Sequence, residues 1–307
     1  MDNTQEQDQD QEQTQDQHPP QTLPPQEPLA KNISLHALLL LSDSALPLGS
    51  FAFSSGLESF LAHHSISGPK SPQSVKSTAF STFLSQSLHN IASTSLPFVL
   101  AAYANPNELQ RLDNDMDAST PCTVARRASV SQGRALVGVW ERAFSSSLPN
   151  TCSTSTSTST STSTSSSSSA AGIAAQQLTL FATTLKSSLP PDPNFPDLRL
   201  QAHFAPLFGA VCLALGLSVY ETSYIFLLNH AKAVLSAAVR ASVMGPYQSQ
   251  RVLAGRELQG VVGRCIELYG GGGGKDGGRE REATVTVPMM DLWMGRHELL
   301  YSRIFNS

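Results

Sequence analysis

Apolar residues recur at helical spacing almost throughout this chain, and that periodicity limits the fold more than any other feature. Tyr220, Tyr224, Leu227, Leu228, Ala231, Val234, Leu235 and Ala238 form one stripe on a helix that starts near Ser218. The later part of that stripe is small-sided (Ala233, Ser236, Ala237, Ala238), which lets helix axes approach closely and marks a central, buried helix. Gly245-Pro246 marks its end, and another helix follows from Tyr247 to Leu268. Val75, Ala79, Phe80, Phe83, Leu84, Leu88 and Ile91 make an earlier stripe, with Ser71-Pro72 as its N-cap and first turn. Ser95-Leu96-Pro97 breaks that run, and a short helix continues through Tyr103. Residues 123–147 repeat the pattern, and 170–187 form a short helix that ends before Pro190-Pro191. Only Ala283–Val287 alternates like a strand, and one short strand has no sheet to join. The expected fold is all-α, a single-domain bundle of about eight to ten helices.

Composition sets the limits of that domain. Residues 1–28 are dominated by Gln, Asp, Glu and Pro and hold too little apolar surface to offset chain entropy, so a disordered tail is expected. The tail carries seven acids and no Lys or Arg; without it the formal charge of −4 becomes +3. That mild excess is too small to predict nucleic-acid binding. The domain then spans 29–307, interrupted by a Ser/Thr-rich insert at 151–169 and a Gly-rich loop at 270–278. Cys122, Cys152, Cys212 and Cys265 are scattered, with no Cys-x-x-Cys pair, which argues against a zinc site or a disulfide framework. The longest uncharged apolar stretch, Phe204 to Tyr220, falls short of the ~20 residues that span a bilayer. With no signal-like N-terminus, a soluble cytoplasmic protein is the expectation, with no membrane partner.

Three kinds of chemistry can be weighed on residue spacing. The glycine run before Lys275 has Tyr269 where a phosphate-binding loop places its first Gly, and Asp276 where it places a hydroxyl. Ala52-Phe53-Ser54-Ser55-Gly56 is a degenerate nucleophile elbow without a sheet to carry it, so a serine hydrolase at Ser54 is a minor reading. Ser54 is better read as a helix N-cap, or Ser55 as the N-cap in a capping box with Glu58. His63 and His64 are adjacent, so on a helix they point about 100° apart and do not easily share an ion. No His-Glu-x-x-His spacing is present, and nothing specifies a metal site. An interaction protein fits this profile better than an enzyme.

Four segments, in order, resemble the UreF family. Leu46, Pro47, Gly49, Phe51, Ser54, Gly56, Leu57 and Glu58 match the family's Leu-Pro-x-Gly-Gly-Phe-x-Tyr-Ser-x-Gly-Leu-Glu, with Ser50 and Phe53 departing from it. Arg127 to Leu136 is a weaker match. Arg240, Gly245 and Gln250 fit Arg-x-x-x-Leu-Gly-Gln-x-x-Gly-Gln, while Pro246 and Ser249 depart. Arg296-His297-Glu298 and Ser302-Arg303-Ile304-Phe305-Asn306-Ser307 are similar to the family's closing Arg-His-Glu…Ser-Arg-Leu-Phe-x-Ser.

The resemblance implies a non-enzymatic, homodimeric urease accessory protein. Such a protein bridges a UreD-type (or UreH-type) accessory protein and the nickel-carrying GTPase UreG on apo-urease. The resemblance also implies modulation of the GTPase and a passage for nickel through the complex, with no cofactor bound directly by this chain. Arg296, His297, Tyr301, Arg303 and Phe305 are the expected contacts for the UreD/UreH-type partner, and aromatic and Arg anchors are typical of such surfaces. Glu58 is the expected contact on the GTPase side. Pro47, Gly49, Phe51 and Gly56 are read as backbone geometry and packing, and Arg240 as an organiser of the Gly245–Gln250 turn or a surface contact. A generic helical adaptor unrelated to urease is the competing reading.

Overall fold

The computed structural model describes residues 29–64, 73–146, 169–187, 199–270 and 282–306. The tail at 1–28, Ser71-Pro72, Pro190-Pro191, most of the Ser/Thr-rich insert and the glycine run from 271 lie outside the described residues.

The described residues form twelve α-helices and no strand. In chain order these are α1 (Leu29–Ser42), α2 (Leu57–His63), α3 (Gln73–Thr94), α4 (Leu96–Ala104), α5 (Leu109–Ser119) and α6 (Thr123–Val139). The second half holds α7 (Ala170–Lys186), α8 (Phe204–Ala214), α9 (Val219–Arg240), α10 (Pro246–Ala254), α11 (Arg256–Tyr269) and α12 (Pro288–Arg296). The number exceeds the eight to ten expected partly because 247–268 is two helices. Gly255 is extended (φ −72°, ψ 143°) and separates α10 from α11.

Helix ends follow backbone chemistry. Ser218 and Glu221 close a capping box at the start of α9. That helix stops before Gly245-Pro246, where the sequence placed its end. Ser242 takes a left-handed φ of 57°, its N–H reaches Val239 O (3.1 Å), and the Val243 N–H reaches Ala238 O (2.9 Å). Gly245-Pro246 instead opens α10, with Gly245 as N-cap. Ala283–Val287 pairs with no strand: Thr284 N–H donates to Ser93 O (3.0 Å) and Thr286 Oγ1 donates to Ser93 Oγ (2.8 Å), docking the segment on the end of α3.

Two helices share the centre. The hub is α9, which packs against α1, α2, α3, α4, α8, α10 and α11. The more deeply buried one is α8: Ala205 to Cys212 are all buried. Each fully buried Leu or Phe there stabilises the fold by roughly 1.5–3 kcal/mol. A Cβ on Gly209 would lie 2.0 Å from Val99 O, so α4 and α8 touch backbone to backbone. Gly133 of α6 is equally tight, with its Cβ position 1.9 Å from Ala202 O.

Candidate functional site

The segment leading into α2 is a chain of constrained turns. Gly49 (φ 70°), Ser55 (φ 53°) and Gly56 (φ 85°) are all left-handed. A Cβ on Gly56 would also stand 3.2 Å from both Met294 N and Trp293 Cβ, so α12 lies directly against this position. Pro47 and Phe51 are exposed, whereas Leu48 and Phe53 are buried.

The capping expected here is not what forms. Gly56 is the N-cap of α2 and Ser55 is left-handed, so no capping box closes. Ser54 Oγ does accept the Glu58 N–H, at 3.4 Å. Ser54 is fully buried, which removes it as a nucleophile open to substrate.

The Glu58 carboxylate turns to the other end of the chain. Its Oε1 accepts the Ile304 N–H (2.7 Å) and its Oε2 the Phe305 N–H (3.3 Å). Buried His297 donates from Nε2 to Phe305 O (3.1 Å), and its Nδ1 stands 3.7 Å from Glu58 Oε2. The Asn306 N–H donates to Ala52 O (2.9 Å). Residues 297–306 thus form a hook fastened to the turn before α2 and to α2 itself.

Side chains fasten the hook further. Phe305 is buried, and the Arg240 guanidinium lies 4.6 Å from its ring centroid and 6.0 Å from that of Phe51. Partial burial lowers the pKa of Arg240. Arg240 therefore serves the hook, and its Nε donates to Ser236 O (3.2 Å). It was expected either to organise the Gly245–Gln250 turn or to make a surface contact, and it is exposed. That turn lies apart at the start of α10, where Gly245 and Gln250 are exposed. Arg127 donates to Glu298 Oε1 (2.6 Å) and Asn306 O (3.0 Å), and Arg303 donates to Glu298 Oε2 (2.7 Å). The Arg127 hydrogen bond, followed by that of Arg303, holds Glu298 below the ordinary carboxylate range.

Glu58 and the C-terminal residues, expected to serve different partners, are therefore one structure. Arg296 and Arg303 are exposed, Tyr301 is fully exposed, and Leu299 and Ile304 are 76% and 67% exposed on its outer side. Sequence reasoning missed Arg127 and Glu298 as fasteners, although both stood inside the quoted segments.

The turn before α2 also lines a cavity of about 280 Å³, which Phe53, Gln132, Asn90, His230 and Asp291 help to enclose. Ser87 Oγ and His230 Nε2 lie 2.8 Å apart in its wall, and burial lowers the pKa of His230 to about 4. On α5, Asp113 accepts the N–H groups of Gln201, Ala202 and His203. His203 bridges Ser129 (3.1 Å) and Asp117 (2.9 Å), and Asp117 also binds Arg126. This network pins the approach to α8. His203 and Asp113 are fully buried in it, and Ser129 already accepts the Phe204 N–H at 3.2 Å, so it reads as a lock on the fold.

Among the described residues, no group of three or more His, Cys, Asp or Glu could hold a metal ion, and no helix is long and apolar enough to cross a membrane. The arrangement defines a class: an all-α scaffold whose most elaborate feature is a fastened C-terminal surface. The UreF family model matches residues 75–257, and the chain belongs to that family. An uncharacterized urease accessory protein UreF-like from Schizosaccharomyces pombe is 32% identical, over 89% of this chain and 97% of its own length. Urease accessory protein F of Oryza sativa subsp. indica is 30% identical, over 89% of this chain and 85% of its own. Urease accessory protein UreF of Haemophilus influenzae is 24% identical, over 89% and 95% respectively. These relatives carry the name of an accessory to an enzyme, and a role in urease maturation fits the family.

Proposed function

We propose that this chain is a non-catalytic scaffold for urease maturation. It bridges a UreD/UreH-type accessory protein and a UreG-type GTPase while nickel is inserted into apo-urease, works as a homodimer, and modulates the GTPase. The observation that carries the reading is the hook. Its backbone is held by Glu58, Arg127 and Ala52, while Tyr301, Ile304 and Leu299 face outward. Exposed aromatic and aliphatic side chains on a fixed backbone lose little entropy on binding, which favours a docking surface. Because Glu58 fastens the hook that carries the C-terminal contacts, the two partner-facing sites are coupled. A partner that grips the hook acts on the turn before α2 through the same carboxylate.

Two measurements test this. Deleting residues 296–307 should abolish capture of the UreD/UreH-type partner while helicity by circular dichroism is retained. Undiminished capture by the truncated chain would overturn the C-terminal assignment. A strain lacking the protein should have inactive urease, whereas normal urease activity would favour an adaptor unrelated to urease.

A further inference from the structure

One face of α6 is basic. The helix holds Arg126, Arg127 and Arg134 and no Asp or Glu. Arg126 is taken by Asp117. Arg127, Ser131 and Arg134 stand at i, i+4 and i+7, a spacing that shares one helix face, and all three are exposed. The hook runs alongside, so that Arg127, Ser131, Glu298, Arg303, Ile304 and Asn306 line one groove. Glu298 directs its two carboxylate oxygens to Arg127 (2.6 Å) and Arg303 (2.7 Å). One carboxylate between two guanidiniums leaves a positive excess. Arg134 adds to it, since its Nε donates to the neutral carbonyl of Gln201 (3.3 Å).

The matching charge lies at the start of the chain. Gln stands at positions 5, 7, 9, 11, 13 and 15, and acids at Glu6, Asp8, Asp10, Glu12 and Asp16. In an extended backbone, alternate side chains point to one side, about 7 Å apart. The alternation therefore makes a ribbon with one acidic edge and one amide edge. Solubility depends on the number of acids and not on their alternation. Reach is sufficient: seventeen positions separate Glu12 from Leu29, where α1 begins, and extended they span about 55 Å. Pro19, Pro20, Pro24, Pro25 and Pro28 among them favour an extended spacer. Helix α1 is about 20 Å long and leads into the turn whose Ala52 holds the hook.

We propose that the acidic tail of this chain docks on its own α6, with Glu6, Asp8, Asp10 and Glu12 set against Arg127, Arg134 and Arg303. The tail then covers one flank of the hook, and a partner that grips this flank displaces it. Tail docking does not depend on the maturation role, and either can fail without the other.

NMR of the full chain tests this at two ionic strengths: about 0.01 M, where exposed charges act over ~30 Å, and about 1 M, where the range falls to ~3 Å. At low salt, the Nε–H resonances of Arg127, Arg134 and Arg303 should differ between the unsubstituted chain and Glu6→Gln/Asp8→Asn/Asp10→Asn/Glu12→Gln. The difference should vanish at high salt. The four substituted positions precede α1, so the helical fold is not at stake. Arg134→Gln leaves the fasteners of the hook in place, and should move the amide resonances of Glu6 to Glu12 toward their high-salt positions. Dilution should leave all of these shifts unchanged. Arginine resonances indifferent to the tail charges, differences that persist at high salt, or tail amides indifferent to Arg134→Gln would overturn the proposal. Shifts that fade on dilution would overturn it as well, because they would assign the groove to the tail of a second copy.

Discussion

Where α8 crosses α4, the contact is apolar and close: Gly209 lies on Val99, and Phe208 and Val211 of α8 and Leu96 of α4 are fully buried. Where the hook meets α2 the materials are reversed. There Glu58, Arg127, Glu298, Arg303 and Arg240 hold ten residues by hydrogen bonds, ion pairs and one stacked cation, with Phe305 as the apolar plug. Burial of apolar surface is non-directional and grows with area, so it fixes a core as a whole. Charge-assisted hydrogen bonds are directional and few, so removing one frees a local piece. The core should therefore fail globally and the hook locally.

Gly209→Val should have the largest effect. Its Cβ would overlap Val99 O, and neither backbone can move without repacking both helices. A loss of about 3 kcal/mol or more is expected, with Tm falling by roughly 10 °C in thermal denaturation. A neutral result would show that the two helices can slide, and would break the contrast.

Glu58→Ala should do less to the whole and more to one end. It removes the acceptors of the Ile304 and Phe305 N–H groups. Hydrogen exchange at those two amides should accelerate by an amount corresponding to about 2 kcal/mol, while Tm hardly changes. A global loss comparable to that of Gly209→Val would mean that the hook belongs to the core.

The smallest effect concerns the polar lock beside α8, which lies between the two extremes. The hydrogen bond from Arg126 leads in holding Asp117 below its ordinary range, His203 adds to it, and desolvation opposes both. A carboxylate with a depressed folded-state pKa contributes stability that is fully present above its unfolded value, near ~3.9, and is lost as pH falls through the folded value. Denaturant unfolding from neutral pH toward pH ~3 should therefore show a shallower loss of stability in Asp117→Asn than in the unsubstituted chain. Equal slopes would place the acid sensitivity elsewhere, for example in Glu221 at the start of α9, whose pKa is also lowered.

The helices were legible because their signal is local. The stripe from Tyr220 to Ala238 is periodic whatever surrounds it, and α9 forms over it. The end of α9 was misplaced because Ser242, not a glycine, supplies the left-handed turn, and a serine gives little warning of that. The hook was only half legible. Glu58 and Phe305 each stood out, but their pairing crosses 247 positions of sequence. Ser55 and Glu58 had the spacing of a capping box, and the local reading was the natural one. It fails because Ser55 is left-handed and Gly56 is the N-cap, which leaves the carboxylate to the Ile304 and Phe305 N–H groups.

The sequence by itself determined the all-α class, most helix positions and the family, since periodicity, turn residues and ordered motifs are properties of the chain read in one dimension. Only the tertiary structure decided that Glu58 and Arg240 serve the C-terminus, and that Arg127 and Arg303 meet on Glu298. Hydrogen-bond geometry and ring contact depend on distances of a few ångströms between residues far apart in sequence, and only packing sets those distances.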